Sequence, residues 1–349
     1  VESSGIYKIA ASDLKQAGFS GAISSAQIRL FGNGGRVLPE SNADPVTDDL
    51  QENAIEIYDG GDGNFDGADY LLFYAPGAHH WISDTSEMGF QFKKNPYSEQ
   101  AFYFLQIGTA VGKRIPQKTI VPSAGKSIDM FDEHIHHELD SINFLKSGKE
   151  WYGEYFSNQP GYIASRDFNL NLPTAAIGEW FYLKSRVIGT SAEKSNSIAV
   201  SVNGKKLFEH LTSPIPGSLI SPVATESFLS GKGMMTGNGI TVTYQHTGGS
   251  INAGSWLDCF DVCFKRKLDV IGQPQLQFRW KNIVSTTAVD FRISNATNAY
   301  AVWDISNFSL PQKIKTTSSS NGIGFVDSIS AQNEFIVFDP AKSKDARMK

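Results

Sequence analysis

Ser255-Trp256-Leu257-Asp258-Cys259-Phe260-Asp261-Val262-Cys263-Phe264, continued by Lys265-Arg266-Lys267, is the stretch on which the reading of this chain turns. In an extended strand successive side chains point to opposite faces. Trp256, Phe260, Val262 and Phe264 fall two or four residues apart, which predicts one apolar face turned to a core. Cys259 and Cys263 then share the opposite face. A second strand, Val289-Asp290-Phe291-Arg292-Ile293, alternates as cleanly. It runs into the turn Ser294-Asn295-Ala296 and the strand Tyr300-Ala301-Val302-Trp303-Asp304-Ile305-Ser306.

The composition agrees with strands. Of 349 residues, 23 are Phe, 12 Tyr and 6 Trp, charged residues make up 19%, and 32 glycines supply turns. This length predicts two or three domains. A net charge of -5 leaves no basic face for a nucleic-acid partner, and Lys265 to Lys267 reads as the solvated end of a strand. No apolar run approaches the roughly 18–20 residues that span a bilayer. The start, Val1-Glu2-Ser3-Ser4, has neither Met nor an apolar signal segment, so a processed form or a cut piece is expected. Cys259 and Cys263 are the only cysteines. Four extended residues hold their Cα atoms about 13 Å apart, beyond the roughly 7 Å limit of a disulfide, so free thiols are expected. Such scarcity is compatible with an exported bacterial protein.

The fold class expected is mainly β: an N-terminal mixed β domain with a short helix, then an antiparallel β-sandwich of jelly-roll type. Residues 1–125 form the first domain, with strands at 5–9, 26–31, 54–58, 70–74 and 101–107, and a short helix capped by Ser12 and ended by Gly18. Residues 126–270 form the sandwich, with strands at 180–187, 197–202 and 239–245 and a hairpin turn at Asn203-Gly204. Residues 271–340 are a small β module or the completion of the sandwich. The charged tail 341–349 is expected to be disordered.

The order of phrases Trp256-Leu257-Asp258, Arg266-Lys267-Leu268, Phe291-Arg292-Ile293-Ser294-Asn295-Ala296 and Val302-Trp303-Asp304-Ile305 resembles the region that precedes the catalytic domain in PorU-like proteins. Those are gingipain-family cysteine peptidases that act as the sortase, or C-terminal signal peptidase, of the type IX secretion system. Gly5-Ile6-Tyr7-Lys8-Ile9, Phe31-Gly32-Asn33-Gly34-Gly35, Leu38-Pro39-Glu40 and Trp151-Tyr152-Gly153-Glu154 are similar to further phrases of that family. The resemblance covers most of the chain, with a gap from about Ile163 to Ser250. It implies export to the outer-membrane surface of a Gram-negative bacterium. It implies as partners the protein's own C-terminal peptidase domain, absent here, and secreted cargo or other components of an attachment complex. It also implies that no catalytic residue lies in this chain, the working Cys and His belonging to the missing domain.

Several constellations invite a chemical reading beside a plain one. In Asp59-Gly60-Gly61-Asp62-Gly63-Asn64-Phe65-Asp66-Gly67-Ala68-Asp69, oxygens recur at alternate positions, as in the first half of an EF-hand loop. Asp62, Asn64, Asp66 and Asp69 are the candidate ligands, with Ca²⁺ the implied cation. Position 12 counted from Asp62 is Phe73, not the bidentate Glu of an EF-hand, and Asp with Gly is what a turn uses in any case. Phe31-Gly32-Asn33-Gly34-Gly35-Arg36 lacks the Lys-Ser/Thr pair of a phosphate loop and reads as a turn. His134, His136 and His137, with Glu133, Glu138 and Asp140 close by, are either a zinc set or an exposed polar face. Trp151, Tyr152, Tyr155 and Tyr162 would serve the alternative reading, a stand-alone carbohydrate- or surface-binding sandwich.

Overall fold

A computed structural model describes residues 1–348 except 40, 84–88, 120–124, 145, 147, 149, 219–220, 282–287 and 329–332. Strands dominate, and Ala11–Gln16 is the one α-helix among the described residues. Contacts divide the chain into two compact units. Val1–Ser83, Gln91–Phe131 and Leu268–Lys349 make the first, Asp84–Phe90 and Asp132–Lys267 the second.

The second unit is a jelly roll. One sheet orders its long strands Met130–Glu138, Gly254–Lys267, Trp180–Thr190, Thr225–Met234. The other orders Ser165–Asn171, Gly239–Gly248, Asn196–Val202, Lys205–Thr212. Counted along the chain, that is first, eighth, third and sixth against second, seventh, fourth and fifth, which is the jelly-roll winding. The short strand Tyr155–Phe156 adds to Gly254–Lys267. Asn203 and Gly204 both have positive φ (50° and 76°) and join Val202 to its partner Lys205, the two-residue turn of a tight hairpin. Between the sheets lie Leu183, Val187, Ile198, Val200, Val242, Tyr244, Leu257, Phe260, Val262 and Phe264.

The expected phase of the central strand holds only from Phe260 onward. Arg186 pairs with Cys259 but Val187 pairs with Leu257, so Asp258 is an extra, bulged residue. A bulge of this kind reverses which face each earlier side chain takes. Leu257 therefore enters the core at 0% exposure, and Trp256, expected inside, lies half-buried on the outer face.

The first unit interleaves the two ends of the chain. Gly5–Ala10 lies between Tyr70–Ala75, antiparallel, and Lys344–Asp345, parallel. The residues after 340, expected to be disordered, thus carry a strand and a short 3₁₀ turn, Pro340–Lys342. Helix Ala11–Gln16 is capped by Asp13, whose carboxylate accepts the Ala10 N–H at 2.8 Å, not by Ser12. Two four-stranded sheets, one built on Ala288–Ser294 and Gly322–Ser328 and the other on Glu334–Phe338, enclose Phe278, Phe291, Phe325 and Phe335. A further core joins Ile6, Leu72 and Tyr74 to Trp303, Ile336 and Phe338. Residues 271–340 therefore pack with the first hundred residues rather than completing the sandwich, because their outer apolar side chains meet those of Gly5–Ala10 and Tyr70–Ala75.

Candidate functional site

The polar side chains of the jelly roll gather along its central strand. On the outer face Arg186 reaches three carboxylates: Glu226 at 2.9 Å, Glu150 at 3.2 Å and Asp258 at 3.4 Å. Burial pushes the Asp258 carboxyl up to about 6, against the pull of Arg186. Cys259 donates to Asp258 at 3.4 Å. Burial raises its thiol pKa, and the charges of Asp258 and Asp261 raise it further. A thiol in that setting stays protonated and unreactive.

The neighbouring strand Met130–Glu138 is tied to the central one on both faces. His136 places Nδ1 2.7 Å from Asp261 and Nε2 2.8 Å from Glu138. Burial opposes its protonated form, but the two carboxylates prevail and hold its pKa above the usual imidazole value. One residue on, His137 points inward, stacks on Phe260 at 4.9 Å and meets Glu154 at 3.0 Å. Lys265 pairs with Asp132 at 2.5 Å and Arg266 with Glu133 at 2.9 Å. Among the described residues no group of three or more His, Cys, Asp or Glu is arranged to hold a metal.

Inside the sandwich lies a polar network the sequence reading missed. His210 sits between Ser185 Oγ at 3.1 Å and Ser227 Oγ at 3.0 Å, and the Tyr244 hydroxyl donates to Ser185 at 2.7 Å. A serine against a histidine is the pair that nucleophilic catalysis needs. Here Ser185 is 1% exposed and His210 0%, so no substrate reaches them. Burial lowers the His210 pKa to about 4, and the ring is neutral. The only signal in the sequence is Ser185 standing in phase with Leu183 and Val187, a polar residue at a core position.

The acidic loop folds as a series of closed turns. Asp62 accepts the Asn64 N–H at 2.8 Å, Asp69 the Asp66 N–H at 2.8 Å and Asp59 the Gly61 N–H at 3.0 Å. The Asn64 carbonyl accepts from Ser25 at 2.9 Å, and Phe65 anchors the loop in the core at 2% exposure. Asp62 and Asp69 thus spend a side-chain oxygen each on the loop's own turns, while Asn64 and Asp66 contribute backbone carbonyls, to Ser25 and to the Asp69 N–H. In the glycine loop, Gly34 and Gly35 have φ of 70° and 65°, and a Cβ on Gly35 would come within 2.7 Å of the Ala101 Cβ. That turn needs glycine for shape.

Of the expected aromatic platform, Tyr155 and Tyr162 meet edge to face at 5.1 Å. Tyr155 also packs on Trp256 at 4.6 Å, while Phe144 links Trp256 at 4.7 Å to Tyr152 at 5.8 Å. Trp151 is 40% exposed and takes no part in those contacts.

The chain thus combines a mixed β unit with a jelly roll inserted between its segments. Over 99% of its length the chain matches the crystal structure of dimeric latent PorU from Porphyromonas gingivalis, with a TM-score of 0.81 and 22% identity. It therefore has a PorU-like fold, and it spans 32% of that chain. A carbohydrate-binding module of family CBM36, in complex with calcium and xylotriose, matches 37% of this chain and 98% of its own at 9% identity, with a TM-score of 0.25. The catalytic domain of a GH87 alpha-1,3-glucanase matches 40% of this chain and 28% of its own at 9% identity and 0.21. Neither carries weight for function. No family model and no curated protein matches the sequence.

Proposed function

We infer that the chain works as the non-catalytic N-terminal region of a type IX secretion sortase-like cysteine peptidase. Such a protein is exported, removes C-terminal sorting signals and attaches cargo at the cell surface. What supports this reading is the PorU-like fold over 99% of the chain, at a TM-score of 0.81. The order of sequence phrases quoted above points the same way. The two units would position a peptidase domain and meet cargo or other attachment components. The quiet Cys259 thiol accords with a region that performs no cysteine chemistry.

Reading the gene beyond Lys349 tests this directly. A following domain with a paired His and Cys is expected, and a stop codon there would overturn the assignment. With the chain as it stands, peptides mimicking a type IX sorting signal should not be turned over. Cleavage that disappears in Cys259→Ser or Cys263→Ser would refute the non-catalytic role.

A further inference from the structure

Within the first unit, Lys118 reaches one carboxylate from each of the two four-stranded sheets that enclose Phe278, Phe291, Phe325 and Phe335. Its main chain is pinned, the N–H donating to the Lys313 carbonyl at 2.8 Å. Its ammonium meets Asp304, the last residue of Ala301–Asp304, at 2.5 Å, and contacts Asp327 in Gly322–Ser328 as well. The Phe335 ring centre is 5.8 Å away. Both acids are buried, at 7% and 3% exposure, and Asp327 stands in phase with Ile323 and Phe325, an acid at a core position.

An ordinary buried ion pair matches one carboxylate to one ammonium, and an extra buried charge is costly. Here two acids share one lysine, and they are held differently. Asp304 Oδ1 accepts from the Ser306 N–H at 2.9 Å and the Ser306 hydroxyl at 2.5 Å, bonds that favour its anion. Burial raises the Asp327 pKa against the pull of Lys118. Burial also opposes the charge on Lys118, but the two carboxylates prevail and keep the ammonium as its resting form. We propose that Lys118 and Asp327 condense into an intramolecular isopeptide bond, with Asp304 as the base. The ammonium first passes a proton to Asp327, leaving an amine beside a carboxylic acid. The Nζ lone pair attacks Asp327 Cγ and the C–N bond forms. Asp304 takes a proton from that nitrogen and delivers it to the Asp327 hydroxyl, which leaves as water as the C–O bond breaks. No oxidant or co-reactant enters, and fixed contact takes the place of chemical activation. The product is a neutral amide beside an Asp304 anion still held by Ser306, with one buried ion pair removed.

The test is intact mass spectrometry of the purified full chain. The parent should be lighter than its sequence by one water, and a digest should yield the Lys118 peptide joined to the Asp327 peptide. Lys118→Arg should have its full mass. Asp304→Asn keeps both partners and should condense roughly a hundredfold more slowly after refolding from denaturant. A parent still at full mass after days at neutral pH would overturn the proposal. So would a lost water that persists in Lys118→Arg, the mark of a succinimide at an Asp-Gly step such as Asp59-Gly60. Condensation as fast in Asp304→Asn as in the parent would overturn the role of Asp304.

Discussion

His210 and His136 belong to one jelly roll, yet its interior and its outer surface treat them in opposite ways. Inside, His210 is held neutral among the hydroxyls of Ser185 and Ser227, with no charge in reach. Outside, His136 is held between Asp261 and Glu138, which favour its charged form. The difference teaches that burial alone does not set a histidine's state. Partners that can only share a proton leave burial in command, and partners that carry charge overrule it.

The sharpest way to separate the faces is truncation. Phe260→Ala, in the core, should cost about 3–5 kcal/mol in denaturant unfolding. Trp256→Ala, half-buried among outer-face rings, should cost about 1–2 kcal/mol. Equal losses would mean that the bulge at Asp258 does not set the phase.

Acid tests the same contrast. A neutral buried histidine with its pKa lowered to about 4 stabilises above the unfolded value near 6.5, and that contribution is lost as pH falls. For His210 the loss is on the order of 3 kcal/mol between pH 6.5 and 4. Asp258 runs the other way. Its carboxyl, raised to about 6, makes the fold less stable as pH climbs from about 4 to 6, by a similar amount. The two largely cancel in the parent chain. In Asp258→Asn the acid loss should steepen by about 3 kcal/mol relative to the parent, and in His210→Gln it should shrink by as much. Parallel curves for all three proteins would break the account.

His136 should give a smaller effect of opposite sign. Its pKa is raised, so its stabilisation is present below about 6.5 and fades as pH rises through the folded value. The stability difference between the parent and His136→Asn should therefore narrow in alkaline buffer. Smallest of all is the acidic loop. Asp62 and Asp69 spend a side-chain oxygen each on closing the loop's own turns, so Ca²⁺ should leave the melting curve where it is. A rise reversed by a chelator would restore the cation site.

What the sequence made legible was local. Asn203-Gly204 declares its hairpin because both residues tolerate positive φ, and strand alternation declares the sandwich. Asp258 was not legible as a bulge, since one extra residue leaves the apolar count unchanged while reversing the face of Trp256 and Leu257. Nor was the Ser185–His210–Tyr244 network, because its members come from three strands that only the winding brings together. The place of residues 271–340 depended on which apolar surface they would meet, and a strand's own pattern does not name its partner.

The pairing of Tyr7 with Lys344 has a consequence for biosynthesis. Gly5–Ala10 can gain Tyr70–Ala75 early, but its other neighbour, Lys344–Asp345, is made only after the whole jelly roll. The jelly roll between them draws its eight long strands from Met130–Lys267 and can mature once Lys267 has been made. The first unit instead waits half-built around a finished insert, its apolar strands open to capture until Leu268–Lys349 arrives. Any chaperone acting on this chain should therefore be needed longest by Gly5–Ala10.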